Sequence, residues 1–511
     1  MTAPAVGTSR RLATRPMARV ARATSRAVIS TRREARDASR RSSAARRARR
    51  GVGTRTAAAR SSDAAREREL EYLERASTPS DVFTERAFGD AALAESCLRA
   101  MRVQWTHGYA SAPSGFARCT HGFGEILAGM QPAACDLIMR ECFEATETRS
   151  VLDPFAGGGT TLVCAQTLGW RAVGADVSPL ACFVSANRNW RASEEEVEVM
   201  LESARTVTDR AGTREEKDGA NDEDASDVPR SWRAVRDALR EYLASDAFVG
   251  APRVAEGLWF CMSVALQRTQ KSQNKRRHKG KSKGKRGGGG DDASRVNAET
   301  FLKTVEEYAN RLEQFREECA KHAGAPAPPA SIHNVDVRKF KLSAEDKVDA
   351  VLTSCPYPAV YDYLSFARKV RAGSGAVVPS SASFAARSGP TSSYVNTVVP
   401  GDRNWPAGWT EGEIGSRRAL RSDPYAFKDV WQREQEEWLA VVADSLTPRG
   451  RAAIMVGDGA NIDTRASIVA AAAKFALREV AGCTMKLTTT TEEGRVYNQA
   501  RTEHLILFDR A

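Results

Sequence analysis

Short apolar runs bounded by glycine, proline or charge recur between residues 149 and 508, and segments with helical spacing separate them. RSVLDPF (149–155) reads as a buried strand, followed by a glycine turn and a helix from about Thr160 to Leu168. RAVGADV (171–177) predicts a second strand, with a helix starting at Ser178. SIHNVDV (331–337), VDAVLTS (348–354), RAAIMVG (451–457) and HLILF (504–508) predict four more strands. Apolar strands alternating with helices predict an α/β fold: a parallel, doubly wound sheet with helices on both faces. Between the second and third strands, apolar positions fall at helical spacing over 230–243 (Trp232, Val235, Leu239, Leu243) and 300–319 (Phe301, Val305, Tyr308, Leu312, Phe315). Two charged stretches, EEKDGANDEDASD (215–227) and KSQNKRRHKGKSKGKRGGGG (271–290), predict solvated loops within this region. The breaker run GAPAPPA (324–330) closes it, so 191–325 reads as a helical insertion.

Charge changes the picture at the N-terminus. The 511 residues carry a net charge of +12, yet residues 1–60 alone contribute +15, from 17 arginines against Glu34 and Asp37. The remainder is close to neutral, so any affinity for phosphate must come from local patches. Residues 1–66 are rich in Arg, Ala and Ser and hold no aromatic residue, and such a segment cannot bury enough apolar surface to offset its ordering entropy. That composition predicts an organelle transit segment, for plastid or mitochondrion, with a nuclear-import or nucleic-acid-binding arm (RRSSAARRARR, 40–50) as the rival reading. The ten cysteines are scattered without a CxxC pair, which predicts reduced thiols and neither a metal site nor a disulfide framework. No apolar run approaches the roughly 18 residues a membrane-spanning helix needs, so no membrane partner is expected.

The sharpest local signal is Asp153-Pro154-Phe155-Ala156-Gly157-Gly158-Gly159-Thr160-Thr161, between a strand and a helix at the carboxyl edge where open α/β sheets bind ligands. A phosphate-binding Walker A loop requires Gly-Lys-Ser/Thr, and no lysine is present; a dinucleotide fingerprint requires a third glycine where Leu162 stands. A glycine turn that only packs strand on helix is the plain structural alternative. An S-adenosyl-L-methionine (SAM) loop fits both the glycines and the acid ending the next strand, Asp176, whose carboxylate can accept both ribose hydroxyls. Here the chain resembles a known family: VLDPFAGGGTTLVCAQTLGWRAVGADVSPLA (151–181) is similar to the SAM-binding half of the N4-cytosine and N6-adenine amino-methyltransferases. The resemblance implies a cofactor set of Asp153, Phe155, Gly157, Gly159, Thr160, Asp176 and Asp336. Within it the glycine loop serves the methionine part of SAM, Asp176 the ribose, and Asp336, after the third strand, the adenine. THGFGEILAGMQP (120–132) echoes an upstream family segment but lacks its tyrosine-proline, and His121 reads as a core or surface histidine.

Thr353-Ser354-Cys355-Pro356-Tyr357 ends the strand VDAVLTS and resembles the same family's Ser/Asp/Asn-Pro-Pro-Tyr loop, with Tyr361-Asp362-Tyr363 following. An exocyclic base amine is a poor nucleophile because its lone pair is delocalised into the ring. Two acceptors on its N–H groups draw it toward tetrahedral geometry. Ser354 Oγ and the carbonyl of Cys355 are placed to be those acceptors. Tyr357 is expected to stack on a base extruded from the helix, and Ser354, Cys355, Pro356 and Tyr357 form the expected catalytic set. Serine at the first position resembles the N4-cytosine members. Cys355 departs from the family's first proline and raises a C5-cytosine covalent route, against which no Glu-Asn-Val follows. EIGSRRAL (413–420), LTPRGRAAIMVGDG (446–459) and EHLILF (503–508) resemble the later part of these enzymes.

The resemblance implies a class I SAM-dependent methyltransferase fold with a seven-stranded, mostly parallel sheet whose last strand is antiparallel. The expected organisation is a targeting segment (1–66), lead-in helices (67–148), a SAM-binding half (149–190), the helical insertion with charged loops (191–330) and a catalytic half (331–511). The expected activity is transfer of a methyl group from SAM to N4 of cytosine in DNA. Its rivals are N6-adenine methylation, an RNA guanine-N2 enzyme, which usually carries an acid where Ser354 stands, and an inactive SAM-fold protein that binds nucleic acid.

Overall fold

The computed structural model describes residues 83–106, 118–124, 126, 129–143, 149–213, 230–248, 250–278, 290–321, 327–364, 412–487, 491–492, 495–496 and 502–511. All of them belong to one compact unit, Tyr72–Ala511. The expected targeting segment, the acidic stretch 215–227 and residues 279–289 of the basic stretch lie outside the described residues.

In chain order the elements are β1 (Phe83–Gly89), α1 (Ala91–Thr106), α2 (Pro132–Leu137), β2 (Ser150–Asp153), α3 (Thr160–Thr167), β3 (Arg171–Asp176) and α4 (Pro179–Arg188). Then follow α5 (Glu194–Gly212), α6 (Arg233–Ala244), α7 (Pro252–His278), α8 (Gly290–Ala320), β4 (Ser331–Asn334) and β5 (Val348–Ser354). The last third holds α9 (Arg417–Ser422), α10 (Phe427–Ser445), β6 (Leu446–Gly457), α11 (Thr464–Ala473), β7 (Leu477–Leu487), a hairpin of the two-residue strands β8 (Thr491–Glu492) and β9 (Arg495–Val496), and β10 (Thr502–Arg510).

The main sheet has the order β1-β7-β10-β6-β5-β2-β3-β4. Neighbours from β4 to β6 pair in parallel, whereas β10 lies antiparallel between β6 and β7. Seven of these strands make the class I methyltransferase sheet that the resemblance implies. An eighth, β1, extends it antiparallel to β7 where lead-in helices alone are expected. Along each central strand the side chains alternate between two buried layers. Val151, Leu352 and Met455 enter one core, and Leu152, Val351 and Ile454 the other. Burial on both faces is why these strands read as continuous apolar runs. The chain moves outward from β2 through β3 to β4 and then crosses to β5 on the other side of β2. The point where strand order reverses therefore lies between β2 and β5, and a crevice opens there at their carboxyl ends.

Two expectations are corrected. SIHNVDV is a strand only over Ser331–Asn334, because Asp336 turns the chain by accepting the Arg338 N–H (3.0 Å) as the cap of a single 3-10 turn. The basic stretch is not all loop: Lys271–His278 continue α7, and Gly290 already belongs to α8. The insertion builds its own core from α5 to α8, centred on Trp259, Phe260, Phe301 and Tyr308. No described helix is long and apolar enough to cross a membrane. All ten cysteines are free and buried, and the described residues hold no cluster of three metal-capable side chains.

Candidate active site

The glycine loop starts where β2 ends. Asp153, at 4% exposure, accepts the Phe155 N–H (3.1 Å) and the Thr353 hydroxyl (2.7 Å), which fastens the ends of β2 and β5 together. Burial pushes its carboxyl up to about 6, although these hydrogen bonds pull the other way. Gly157 and Gly159 both adopt left-handed backbone, at φ +49° and +76°. The place a Gly157 side chain would fill is open, with only the Phe155 carbonyl oxygen at 3.8 Å, so its backbone faces free space. Gly159 heads α3 without any room: a Cβ there would lie 2.6 Å from Asn189 Nδ2 and closer still to Ser185 Oγ. The carbonyl of Gly158 accepts Arg188 Nη1 (3.0 Å), so a guanidinium supports the loop from behind.

Asp176 ends β3 and uses both oxygens: Oδ2 accepts the Gly157 N–H (2.8 Å) and Oδ1 the Ser178 N–H (2.7 Å). Burial again dominates, pushing this carboxyl up to about 6. Each carboxylate oxygen keeps a further lone pair, so the group can still accept two hydroxyls. Asp336 is engaged differently. Burial raises its carboxyl, but the Arg338 guanidinium, at 2.7 Å from Oδ2 and 2.9 Å from Oδ1, and the Arg338 N–H outweigh it and hold it below the usual carboxylate range. Arg338 also reaches Glu434 Oε1 (3.5 Å), whose Oε2 accepts the Gly415 N–H (3.1 Å). These linked bonds tie the acid after β4 to the segment 412–415.

Ser354 closes β5 beside the crevice. Nearby, burial first and then Glu503 raise the Tyr357 phenol well above its ordinary range and hold it neutral. The Tyr357 ring lies against Gly457, where a Cβ would come within 2.6 Å of it. Cys355 is turned into the protein at 1% exposure. Its N–H donates to the Met455 carbonyl (3.2 Å), a bond the family's proline could not make, and Sγ points at the same oxygen (3.7 Å). Burial pushes this thiol well above its ordinary range, so it has neither the exposure nor the thiolate character a covalent nucleophile needs. The Tyr363 ring tilts against the Tyr361 ring at 5.2 Å, and burial raises its phenol well above the ordinary range.

These loops line a cleft that is open to solvent. Of the expected residues, Phe155, Gly157, Asp176, Asp336, Ser354 and Pro356 line it. Asp153, Gly159, Thr160, Cys355 and Tyr357 stand behind that lining and shape it. Ile126, Leu180, Tyr363 and Glu413, none of which is among the expected site residues, also line the cleft. Ile126 comes from the segment 120–132, so that loose echo does reach the site. His121 from the same segment is a core residue: burial, then Arg188, push its imidazole down to about 3, which leaves it neutral.

The chemistry of the cleft fits SAM. Asp176 suits a ribose diol, the apolar Val177, Val337 and Ile414 suit a purine face, and the open Gly157 backbone suits an amino-acid tail. No protein-family model matches this chain, and no curated protein matches it. A solved structure, the rRNA methyltransferase aviRa from Streptomyces viridochromogenes, is similar at 11% identity with a TM-score of 0.29, covering 78% of this chain and 94% of that one.

Proposed function

We propose that this chain is a SAM-dependent methyltransferase that modifies an exocyclic base nitrogen in nucleic acid, namely N4 of cytosine in DNA. One observation carries the reading. Gly157, from the loop after β2, and Asp176, the last residue of β3, share a cleft with Ser354, the last residue of β5, across the point where strand order reverses. When bound, SAM supplies a methyl group made electrophilic by a sulfonium sulfur. Asp176 and the Gly157 backbone hold and orient it, and Val177, Leu180 and Ile414 keep water from the cleft floor. Ser354 Oγ accepts one hydrogen of the target amine and the Cys355 carbonyl the other, which raises the nucleophilicity of the nitrogen. Serine rather than an acid at position 354 favours cytosine-N4 over the guanine-N2 alternative, and the inward-facing Cys355 weighs against C5 chemistry.

The test is to incubate the protein with methyl-labelled SAM and either DNA or RNA, digest the product to nucleosides and identify the labelled one by mass spectrometry. N4-methylcytosine from DNA is expected. N6-methyladenine or N2-methylguanine would move the assignment to another base, and 5-methylcytosine would overturn the amine mechanism. Absence of label in every polymer would leave a SAM-fold binding protein.

A further inference from the structure

We infer that Glu413 is the proton acceptor for the target amine, an assignment that rests on the amine-methylation reading above. Glu413 is only 7% exposed, yet it lines the cleft together with Ser354, Tyr363 and Asp176. Its Oε1 is pinned by the Leu364 N–H (3.1 Å), which fixes the carboxyl plane. Its Oε2 is buried and has no hydrogen-bond partner among the described residues. A carboxylate oxygen withdrawn from water and left unpaired is expensive to keep, and such atoms mark a place where a ligand supplies the missing donor. The preceding Gly412 lies close against the cleft wall: a Cβ placed on it would come 2.9 Å from the Val177 side chain and 3.7 Å from Asp336 Oδ2.

The groups around Glu413 set its readiness. Burial raises its carboxyl most and Asp362 adds to the rise. The Leu364 and Tyr363 N–H groups and Arg418 pull it down, for a net value of about 7. The Tyr363 phenol, itself held neutral by burial, is near enough for the Glu413 charge to act on it, and Asp336 lies beside the neighbouring Gly412. A carboxyl so poised can take a proton and return it to water near neutrality. Ser354 cannot do this, since a hydroxyl accepts a hydrogen bond but does not retain a proton. Glu413 Oε2 takes the proton that the amine nitrogen sheds when its lone pair bonds the methyl carbon. The carbon–sulfur electron pair stays on sulfur, and water removes the proton from Glu413 once the product has left.

The experiment compares the wild-type protein with Glu413→Gln, which keeps the shape but cannot take a proton, and with Glu413→Asp. Calorimetry gives the affinities for SAM, a cation at sulfur, and for S-adenosylhomocysteine, which lacks that charge, across a range of pH. In the wild type the preference for SAM is expected to grow as pH rises through about 7, because ionised Glu413 attracts the sulfonium. In Glu413→Gln that preference is expected to be level, with S-adenosylhomocysteine affinity within about twofold of wild type, the sign of an intact cofactor site. Single-turnover transfer to a mixed-sequence single-stranded oligodeoxynucleotide is expected to fall about 100-fold in Glu413→Gln and to lose its rising limb with pH. Glu413→Asp is expected to keep the limb at a lower rate. A Glu413→Gln protein with the wild-type rate and pH limb overturns the assignment, as does a pH-independent SAM preference in the wild type. If the wild type methylates no polynucleotide while Glu413→Gln still abolishes the pH-dependent preference, the substrate reading fails and the place of Glu413 beside the transferable methyl is supported.

Discussion

Replacing Asp176 with alanine separates cofactor holding from folding, because the carboxylate does both. For binding, the loss is a charge-assisted acceptor for the ribose hydroxyls, worth about 1.5–3 kcal/mol. That is roughly a 10- to 100-fold rise in the dissociation constant for SAM. For folding, the N–H groups of Gly157 and Ser178 lose their partner. Each stranded donor costs about 1–3 kcal/mol. Against this, burial has pushed the native carboxyl from 3.8 to about 6, and at about 1.4 kcal/mol per pH unit its ionised form costs the fold roughly 3 kcal/mol at neutral pH. Alanine removes that cost, so the two folding effects largely cancel and the variant is expected to stay folded. The sign of the shift also fixes the pH behaviour. A carboxyl whose folded value is raised contributes stability that is complete below 3.8 and is lost as pH rises through about 6. The ionised form is the better acceptor, so wild-type affinity for SAM is expected to climb as pH rises toward about 6, while the variant's affinity stays level. Calorimetric titration with SAM, alongside circular dichroism to confirm the fold, reads both effects. A folded Asp176→Ala protein that binds SAM within a factor of about three of wild type would refute the ribose assignment.

Ser354→Ala is expected to lower the single-turnover rate by about 10²-fold and leave SAM affinity unchanged; an undiminished rate removes Ser354 from the chemistry. Gly159→Ala forces a left-handed alanine at a cost of about 1–2 kcal/mol, and crowding against Asn189 and Ser185 adds about 1–3 kcal/mol. Differential scanning calorimetry should therefore show a melting temperature lower by at least about 2 °C, and an unshifted melt would mean the loop is built otherwise. Exchanging five lysines between 271 and 286 for glutamine is expected to flatten the salt dependence of DNA binding, by about 0.9 in log–log slope for each phosphate the segment no longer neutralises, with sequence preference unchanged. An unaltered slope would show that the segment does not touch the backbone.

The sheet and the cofactor side of the site were legible because each signal was local. A continuous apolar run states burial on both faces, and a glycine cluster at a strand end states a backbone that needs left-handed turns. The helix α7 was less visible for the opposite reason. Residues 254–266 are all buried, so they carry no polar face and hence no helical period to detect. The edge strand β1, FTERAFG, carries Glu85 and Arg86 side by side at its centre and has no apolar run. Pairing with β7, a segment almost 400 positions away, is what makes it a strand. Glu413 was hidden for a third reason. In sequence it is one acid in a charged tail, and only the fold, by bringing 412–414 against Val177 and Asp336, turns it into a buried group. Tyr357 stands where the resemblance puts it, just after β5, and only the fold shows that its ring lies against Gly457.

The helix α4 has no side left for solvent. Leu180, Phe183 and Val184 face the core of the insertion, Cys182 and Ala186 face the core of the sheet, and Arg188 reaches back to the glycine loop. At its start, Ser178, Leu180 and Ala181 form part of the cleft wall. Surface helices drift because most of their positions touch only water. This one cannot, since a change at almost any position must be absorbed by one core, the other, or the ligand wall. Over evolutionary time the decapeptide PLACFVSANR should therefore diverge more slowly than the loops around it.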